Sequence, residues 1–171
     1  MSQVQQRTSD QDRYAPNSIC FGCGPANSKG LQIKSHWEGS PPAAGATTFD
    51  GGEFIMEFLP EEHHQAFPGV INGGILGTLL DCHSNWCAAT ALMHRNGWDQ
   101  AQCTVTADFH VRLKRPTPQG VQLRLVARPV EMHADRAQIH CDVYAGDKIT
   151  ATCDGLFVAV QEGHPAYHRW G

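Results

Sequence analysis

The stretch Gly69-Val-Ile-Asn-Gly-Gly-Ile-Leu-Gly-Thr-Leu-Leu-Asp81 decides the fold. Apolar residues continue beyond it to about Asn96 and are followed by Gly97, so the pattern predicts one long helix that begins at Gly73. Asn72 is a favourable N-cap, because its side-chain oxygen can accept a backbone N–H of the first turn. Apolar side chains surround most of the helix, so we expect it to be buried on nearly every side.

The start of this helix predicts a place for negative charge on a bound molecule. Gly73 and Gly74 lack a Cβ, so a ligand can approach the unpaired amides closely, and the helix dipole favours an anion there. Asp81 lies about two turns further along the same face. A buried, unpaired carboxylate is costly, and burial raises its pKa towards the range of a general base. The combination indicates acyl chemistry.

Composition limits the class of protein. The chain has 171 residues, a formal net charge of −4 and no long basic run, which predicts one globular domain and argues against nucleic-acid binding. The polar start lacks a signal peptide, and Asp81, His83 and Asn85 argue against a membrane span in the long helix. Seven cysteines indicate reduced thiols in a cytoplasmic protein. We expect residues 1–17 to form a flexible tail and residues 18–171 a single domain.

Strands are predicted on both sides of the helix. Extended stretches are expected at residues 31–37 and 47–59 before it, and at 104–114, 121–130, 136–145 and 148–160 after it. One buried helix with an antiparallel sheet is an α+β arrangement. Because one helix covers only one face and the sheet has open edges, we expect a homodimer, which can pair further into a homotetramer.

Three segments resemble the hotdog-fold acyl-CoA thioesterases, most closely the phenylacetate-pathway type. They are Cys20-Phe-Gly-Cys-Gly-Pro-Ala-Asn with Gly30-Leu31, the stretch Gln65–Asp81, and Thr106–Pro116 with its ending Leu113-Lys-Arg-Pro. The second segment is the specific one, because it matches the family's His-Gly-Gly signature with an acid on the helix. The resemblance implies a long central helix wrapped by a curved sheet, dimers whose sheets join, and active sites at the dimer interface.

The same resemblance implies the function and the site. Asp81 becomes the general base or nucleophile that hydrolyses an acyl-CoA to free acid and CoA, and the Gly73 amide of the other subunit polarises the thioester carbonyl. Thr106 matches a Ser or Thr position that helps to place the attacking water. Asn72 stands where the family usually has His; it can cap the helix and donate a hydrogen bond, but it cannot hold a positive charge. Ala66 replaces a family Asn or Gln, and neighbouring residues could serve instead, namely His64 and Gln65.

Several assignments have alternatives. Gly74 could contact substrate or simply allow close packing, and Lys114 and Arg115 could bind the phosphates of CoA or be solvated charges. The exchange at Asn72 leaves open a non-catalytic acyl-CoA or small-ligand binding protein of the same fold. A hydratase is disfavoured, because that group places a His five residues after the acid, where this chain has Trp86.

The cysteines predict no metal centre and no cofactor. The Cys20-x-x-Cys23 pair is compatible with zinc, but two more ligands would be needed and no second Cys-x-x-Cys is present. His63 and His64 could supply them only if folding brings them close. Cys82 is interpreted as a buried, inert thiol, and His83 as a core histidine with satisfied hydrogen bonds.

Overall fold

The computed structural model describes residues 8–171. Its elements in chain order are α1 (Asp10–Tyr14), β1 (Ser35–Glu38), β2 (Glu53–Phe58), a short 3-10 helix (Glu62–His64), β3 (Gln65–Phe67), β4 (Val70–Ile71), α2 (Gly73–Asn96), β5 (Thr104–Leu113), β6 (Leu123–Met132), β7 (Arg136–Ala145) and β8 (Lys148–Ala159).

One long helix packs on one antiparallel sheet. The sheet has six strands in the order β1-β2-β6-β7-β8-β5, and α2 contacts β5, β6, β7 and β8. Large side chains that are fully buried fill the space between the two layers, among them Trp86, Phe54, Phe157, Leu79 and Leu92. This confirms the predicted α+β arrangement of a central helix wrapped by a sheet.

The helix prediction is confirmed at both ends. Asn72 is the N-cap of α2, and Gly97 ends the helix with a left-handed φ of 66°. A glycine tolerates that backbone conformation without strain. From Leu79 onward nearly every residue of the helix to Met93 is buried, Asp81 excepted, which agrees with the expectation that the helix would be covered on nearly every side.

The prediction of a flexible tail is wrong for residues 8–17, the part of the tail that the structure describes. Asp10–Tyr14 form a short helix capped by Ser9, and the side chain of Gln11 is fully buried. Gln11 exchanges hydrogen bonds with Ser35, accepting from its backbone N–H at 2.8 Å and donating to its hydroxyl at 3.0 Å. The segment is polar and has no periodic pattern, so its sequence did not predict this contact between Gln11 and Ser35. Residues 1–7 of the predicted tail lie outside the described residues.

Strand β5 forms one edge of the sheet. It pairs with β8 on one side only, so a ten-residue strand presents its other edge without a partner strand in the described chain. Phe109 and Leu113 on this strand are 38% and 56% exposed. An open, partly apolar edge of this length is a template for pairing with another chain.

The helices were also compared with the length and apolar character of a membrane-spanning helix. None of those between residues 8 and 171 combines the length and the apolar character that crossing a bilayer requires.

Candidate active site

A stripe along α2 faces strand β5. The stripe consists of Gly73, Gly77, Asp81 and Asn85, which recur every four residues and therefore lie along one side of the helix. A Cβ placed on Gly73 would lie 3.2 Å from Leu113 Cδ1, and one placed on Gly77 would lie 3.9 Å from Phe109 Cζ. The small residues let β5 lie close to the helix.

Asp81 and Asn85 meet Thr106 at the other end of this stripe. The hydroxyl of Thr106 donates a 2.7 Å hydrogen bond to Asp81 Oδ1. The Asn85 side-chain amide donates to Thr106 Oγ1 at 3.5 Å and to the backbone oxygen of Thr104 at 3.2 Å. Asn85 thus orients the hydroxyl that holds the carboxylate. The sequence offered one signal for Asn85, its spacing of four residues from Asp81.

The surroundings of Asp81 determine the pKa of its carboxyl group and whether its charge is paired. Burial raises the pKa of this carboxyl above its usual value, although the hydrogen bond from Thr106 and the more distant Arg169 act in the opposite direction. Within residues 8–171 no lysine or arginine forms an ion pair with it. The carboxylate is therefore half-buried and has no ion-pair partner among the described residues, as a group with a chemical task would be.

A β-bulge lies next to Thr106. The pairing of β5 with β8 shifts register between Thr106, opposite Phe157, and Asp108, opposite Leu156, so Ala107 is the extra residue. Bulges re-aim neighbouring side chains and are frequent beside active sites. Here the bulge follows the residue that contacts Asp81.

At the start of α2, Asn72 uses its side-chain oxygen to accept two backbone N–H groups. Gly74 donates at 2.7 Å and Ile75 at 3.3 Å. Among the described residues none accepts a hydrogen bond from the Gly73 amide. The expectation that Gly74 offers a free amide is therefore wrong, because the cap occupies it, whereas the Gly73 amide is open.

The Gly73 amide and Asp81 are too far apart to act together in one chain. Two turns of helix separate them, which is about 12 Å along the axis. Each end of the stripe therefore supplies half of what acyl chemistry needs, an amide donor at one end and a carboxylate at the other.

His64 and Gln65 shape the loop that leads to α2. His64 is buried, and its Nδ1 accepts the Glu61 backbone N–H at 3.0 Å. Its backbone oxygen accepts the Asn72 N–H at 2.9 Å. Gln65 closes the following turn, accepting from Gly69 at 2.6 Å and donating to the Glu62 oxygen at 2.8 Å. Both side chains are engaged within the loop.

A cavity lies beside this loop and the first turn of α2. Its volume is about 500 Å3, and its lining includes His64, Phe58, Ile75, Phe21 and Lys29. The size suits a small ligand or an acyl group. His64 thus lines a cavity, as a substrate-contacting residue would, while Gln65 does not line it.

Lys114 and Arg115 follow β5 directly. The preceding residue, Leu113, contacts the start of α2 at Gly73. Both basic residues are exposed, and their backbone amides bond to the Thr150 oxygen at 2.9 and 3.2 Å. Two cations therefore lie close to the helix end that already favours anions.

Three cysteines come together in the fold. Cys20, Cys23 and Cys82 bring their sulfur atoms within 4.8 Å of one another, and no His, Asp or Glu of the described residues joins them. Folding does not bring His63 and His64 to the cysteines, so neither is part of the cluster. Cys82 is buried, as interpreted from the sequence, and its Sγ lies 3.8 Å from the Sγ of Cys20.

His83 is a structural residue, as predicted. It is fully buried, and Nε2 donates to the Phe54 backbone oxygen at 3.0 Å while Nδ1 accepts the Ser35 hydroxyl at 2.9 Å. Burial lowers the pKa of this imidazole to about 3, so the ring is neutral.

The end of the described chain docks beside the Asn85 network. Trp170 stacks on Trp86 with ring centroids 4.2 Å apart and an interplanar angle of 6°. Arg169 donates to Cys103 Sγ and to the Thr104 backbone oxygen, both at 2.7 Å. The sequence gave no signal for this docking.

Comparison with known proteins places this geometry in a family context. Residues 68–152, which include α2 and strands β5–β7, match one family model. That family is the Thioesterase superfamily. The match contains Asn72, Gly73, Asp81 and Thr106 together. No protein in a search of curated sequences matches.

Solved structures show the same fold. A Thioesterase superfamily protein from Shewanella loihica aligns with a TM-score of 0.60 at 26% identity, covering 80% of this chain and 98% of that one. A phenylacetic acid degradation-related protein from Ralstonia eutropha aligns with a TM-score of 0.55 at 18% identity, covering 72% and 84%. A Streptococcus mutans protein solved with acetyl-CoA aligns at 0.55 and 14% identity, covering 73% and 89%. The fold is the hotdog fold of Thioesterase superfamily structures, as the sequence predicted.

Proposed function

We propose that this protein is an acyl-CoA thioesterase of the Thioesterase superfamily, and that it hydrolyses its substrate to a free acid and CoA. The observation that supports this most directly is the half-buried Asp81 carboxylate, which accepts the Thr106 hydroxyl and forms no ion pair within residues 8–171. The match of residues 68–152 to the superfamily supports it independently.

The proposal requires a homodimer. Because Gly73 and Asp81 lie about 12 Å apart in one chain, the amide that meets a given carboxylate comes from a second copy. The open edge of β5 and its exposed Phe109 and Leu113 offer the surface for that pairing. Two copies that join along β5 place two helices side by side, with the start of each facing the middle of the other.

The chemistry follows from the two ends of the stripe. Asp81 takes a proton from a water molecule held by Thr106, and the water oxygen attacks the thioester carbonyl carbon. The Gly73 amide of the partner copy donates to the carbonyl oxygen and stabilises the negative charge that develops on it. When the intermediate collapses, the C–S bond breaks and the proton on Asp81 passes to the CoA sulfur. Direct attack by Asp81 is the other route open to this arrangement.

The surroundings suggest how the substrate lies. Lys114 and Arg115, next to the start of α2, are exposed and suited to the phosphates of CoA. The cavity of about 500 Å3 beside His64 has a mixed lining, with apolar side chains (Phe21, Leu31, Phe58, Ile75) and polar ones (Ser28, Lys29, Glu61, His63). Its apolar part suits the acyl group. The side-chain oxygen of Asn72 caps the helix, and its side-chain NH2 group can donate to the thioester.

The experiment that tests the function is hydrolysis of an acyl-CoA panel with short, long and aromatic acyl groups. Free CoA is separated by chromatography, because the seven cysteines of this chain would react with thiol reagents. We expect Asp81→Asn to lower kcat by about 10²- to 10⁴-fold, the usual contribution of a general base. Asp147→Asn, a matched change of an exposed carboxylate in the turn between β7 and β8, should leave kcat unchanged. Full activity of Asp81→Asn would overturn the proposal.

A second candidate is a protein that binds acyl-CoA without hydrolysing it. The observation that favours it is Asn72, whose oxygen is occupied by the cap and whose side chain cannot carry a positive charge. Calorimetric binding of an acyl-CoA by the wild-type dimer, with no CoA release during long incubation, would favour this candidate over the enzyme.

A further inference from the structure

Three cysteines from two distant parts of the chain meet beside the candidate active site. Cys20 and Cys23 lie in the loop that precedes β1, and Cys82 lies on α2, directly after Asp81. All three sulfur atoms lie within 4.8 Å of one another, and the Sγ atoms of Cys20 and Cys82 are 3.8 Å apart. The remaining four cysteines are buried and outside this group.

The sulfur spacing fits one metal ion. Zinc binds thiolate sulfur at about 2.3 Å with tetrahedral geometry, which places two sulfur atoms on the same ion about 3.8 Å apart. The distance between Cys20 and Cys82 has this value. A disulfide instead needs a separation of about 2.05 Å, so Cys20 and Cys82 are two free thiols at a spacing that one ion can bridge.

The loop is shaped closely around these sulfurs. The Gly24 amide donates to the Cys20 backbone oxygen at 2.8 Å, which closes a turn over the Cys-x-x-Cys segment. Gly22 lies so close to α2 that a Cβ there would overlap Cys82 Sγ. The loop therefore rests directly on the helix, and any larger residue at position 22 would push the cysteines apart.

One buried donor lies beside the sulfurs. It is the indole N–H of Trp86, which lies next to the Cys23 thiol. That indole N–H is buried and makes no standard hydrogen bond to the described residues. A thiolate at Cys23 would give it an acceptor, as outer partners of metal ligands do.

We propose that Cys20, Cys23 and Cys82 bind one zinc ion as three thiolates. The fourth position faces solvent, because Cys20 is only partly buried, and a water molecule fills it. Soft thiolates select zinc over Mg2+ or Ca2+, which prefer oxygen. Cys20, Cys23 and Cys82 each release a proton to solvent when the ion binds.

The ion fastens the N-terminal segment to the central helix. Cys82 adjoins Asp81, and Phe21, between the cysteines, lines the cavity beside His64. Zinc therefore holds one wall of the cavity against α2 at the position of the carboxylate. This role is structural and does not depend on whether the protein hydrolyses thioesters.

The test is metal content and affinity of the full-length protein under reducing conditions. The apoprotein, prepared with a chelator and a phosphine reductant, is titrated with Zn2+ in competition with a chromogenic chelator, and Co2+ is used as an optical substitute. We expect one equivalent per chain, a thiolate-to-cobalt absorption band, and a higher melting temperature with zinc. Cys20→Ser and Cys82→Ala should each weaken binding by roughly 100-fold or more, since losing even an outer partner costs 10- to 100-fold.

The matched control is Cys153→Ala, which removes a buried cysteine outside the cluster and should keep one equivalent of zinc. Circular dichroism checks that each variant is folded, and the partly exposed Cys20 is the position most tolerant of change. The proposal is overturned if the wild-type protein binds less than a stoichiometric amount of zinc, or if Cys82→Ala binds it as tightly as wild type.

Discussion

Thr106 on β5 donates a 2.7 Å hydrogen bond to Asp81 on α2. The contact joins the edge strand of the sheet to the central helix at the only acid of that helix. A hydrogen bond to an ionised group contributes about 1.5–3 kcal/mol, and Asn85 holds the donor in place from the next turn of the helix. The position of the carboxylate is therefore fixed by two elements rather than by its own rotamer alone.

Replacement of Thr106 tests this relationship. Thr106→Val keeps the shape but removes the hydroxyl, so we expect kcat for acyl-CoA hydrolysis to fall roughly 10- to 100-fold, in line with about 1.5–3 kcal/mol. Thr106→Ser keeps the donor and should remain within a few-fold of wild type. Steady-state kinetics on both variants checks this. Equal kcat values for Val and Ser would show that the hydroxyl has no part in the reaction.

Asn72 is expected to stabilise the helix as a cap. Asn72→Ala removes the acceptor of the Gly74 and Ile75 amides and should lower the free energy of unfolding by about 1 kcal/mol. Asn72→Ser keeps a capping oxygen and should be nearly as stable as wild type. Denaturant unfolding of the two variants gives the comparison, and an Ala variant as stable as the Ser variant would contradict the role.

Lys114 and Arg115 are predicted to bind phosphate. The double change to Ala should raise KM for an acyl-CoA by roughly 3- to 10-fold at low salt, because exposed ion pairs contribute up to about 1 kcal/mol each, and salt should reduce the difference. KM for the same acyl group on a short uncharged thiol should not change. Lys148→Ala, an exposed cation at the start of β8, is the control, and its KM should match wild type.

The β5 edge is predicted to be the dimer interface. Phe109→Arg places a charge where a partly exposed aromatic ring faces Gly77. We therefore expect the molar mass measured by light scattering to fall from that of a dimer to that of a monomer, and hydrolysis to be lost. Arg128→Ala, on β6 away from this edge, should leave the mass unchanged. A Phe109→Arg variant that stays dimeric would place the interface elsewhere.

His64 predicts a pH dependence of stability. Burial, with a smaller effect of His63, lowers the pKa of His64 in the fold, whereas Glu61 acts in the opposite direction; Lys29 also lines the adjoining cavity. Below about pH 6.5 the unfolded chain therefore binds a proton that the folded one does not, so stability falls as pH decreases until the folded pKa is reached.

His64→Asn keeps an acceptor near the Glu61 amide and removes this titration. We expect its free energy of unfolding to fall less than that of wild type between pH 7.5 and pH 5.5, as measured with denaturant. His63→Asn, an exposed neighbour, is the control. A variant with the same pH slope as wild type would show that His64 does not contribute.

The parts of the fold that local pattern determines were predictable. The helix at Gly73–Asn96 follows from its cap, its apolar residues and Gly97, and the strand Arg136–Ala145 follows from alternation and turn residues. The expected strand at residues 47–59 was too long, because only Glu53–Phe58 pair with neighbours. The expected strand at 31–37 starts later, at Ser35, since the segment before it folds as a loop on the helix.

The parts that depend on distant contacts were not predictable. Gln11 is anchored by Ser35, and Cys82 joins Cys20 and Cys23 only because the preceding loop lies on α2. Asp81 and Gly73 were recognised from their places on the helix, whereas Asn85 needed the structure, since its hydrogen bonds reach across to β5. Spacing along one element is visible in a sequence, but contact between elements is not.

The stacked indoles of Trp86 and Trp170 give the protein a built-in optical signal. Trp86 stacks on Trp170 and lies next to Cys23, so its fluorescence will change when residues 169–171 detach or when the sulfur environment changes. Loss of the hydrogen bond from Arg169 to Thr104 would also change the fluorescence of Trp86. Because the chain has four tryptophans, replacing Trp37 and Trp98 by Phe would leave the emission of the stacked pair as a label-free measure of order around the carboxylate.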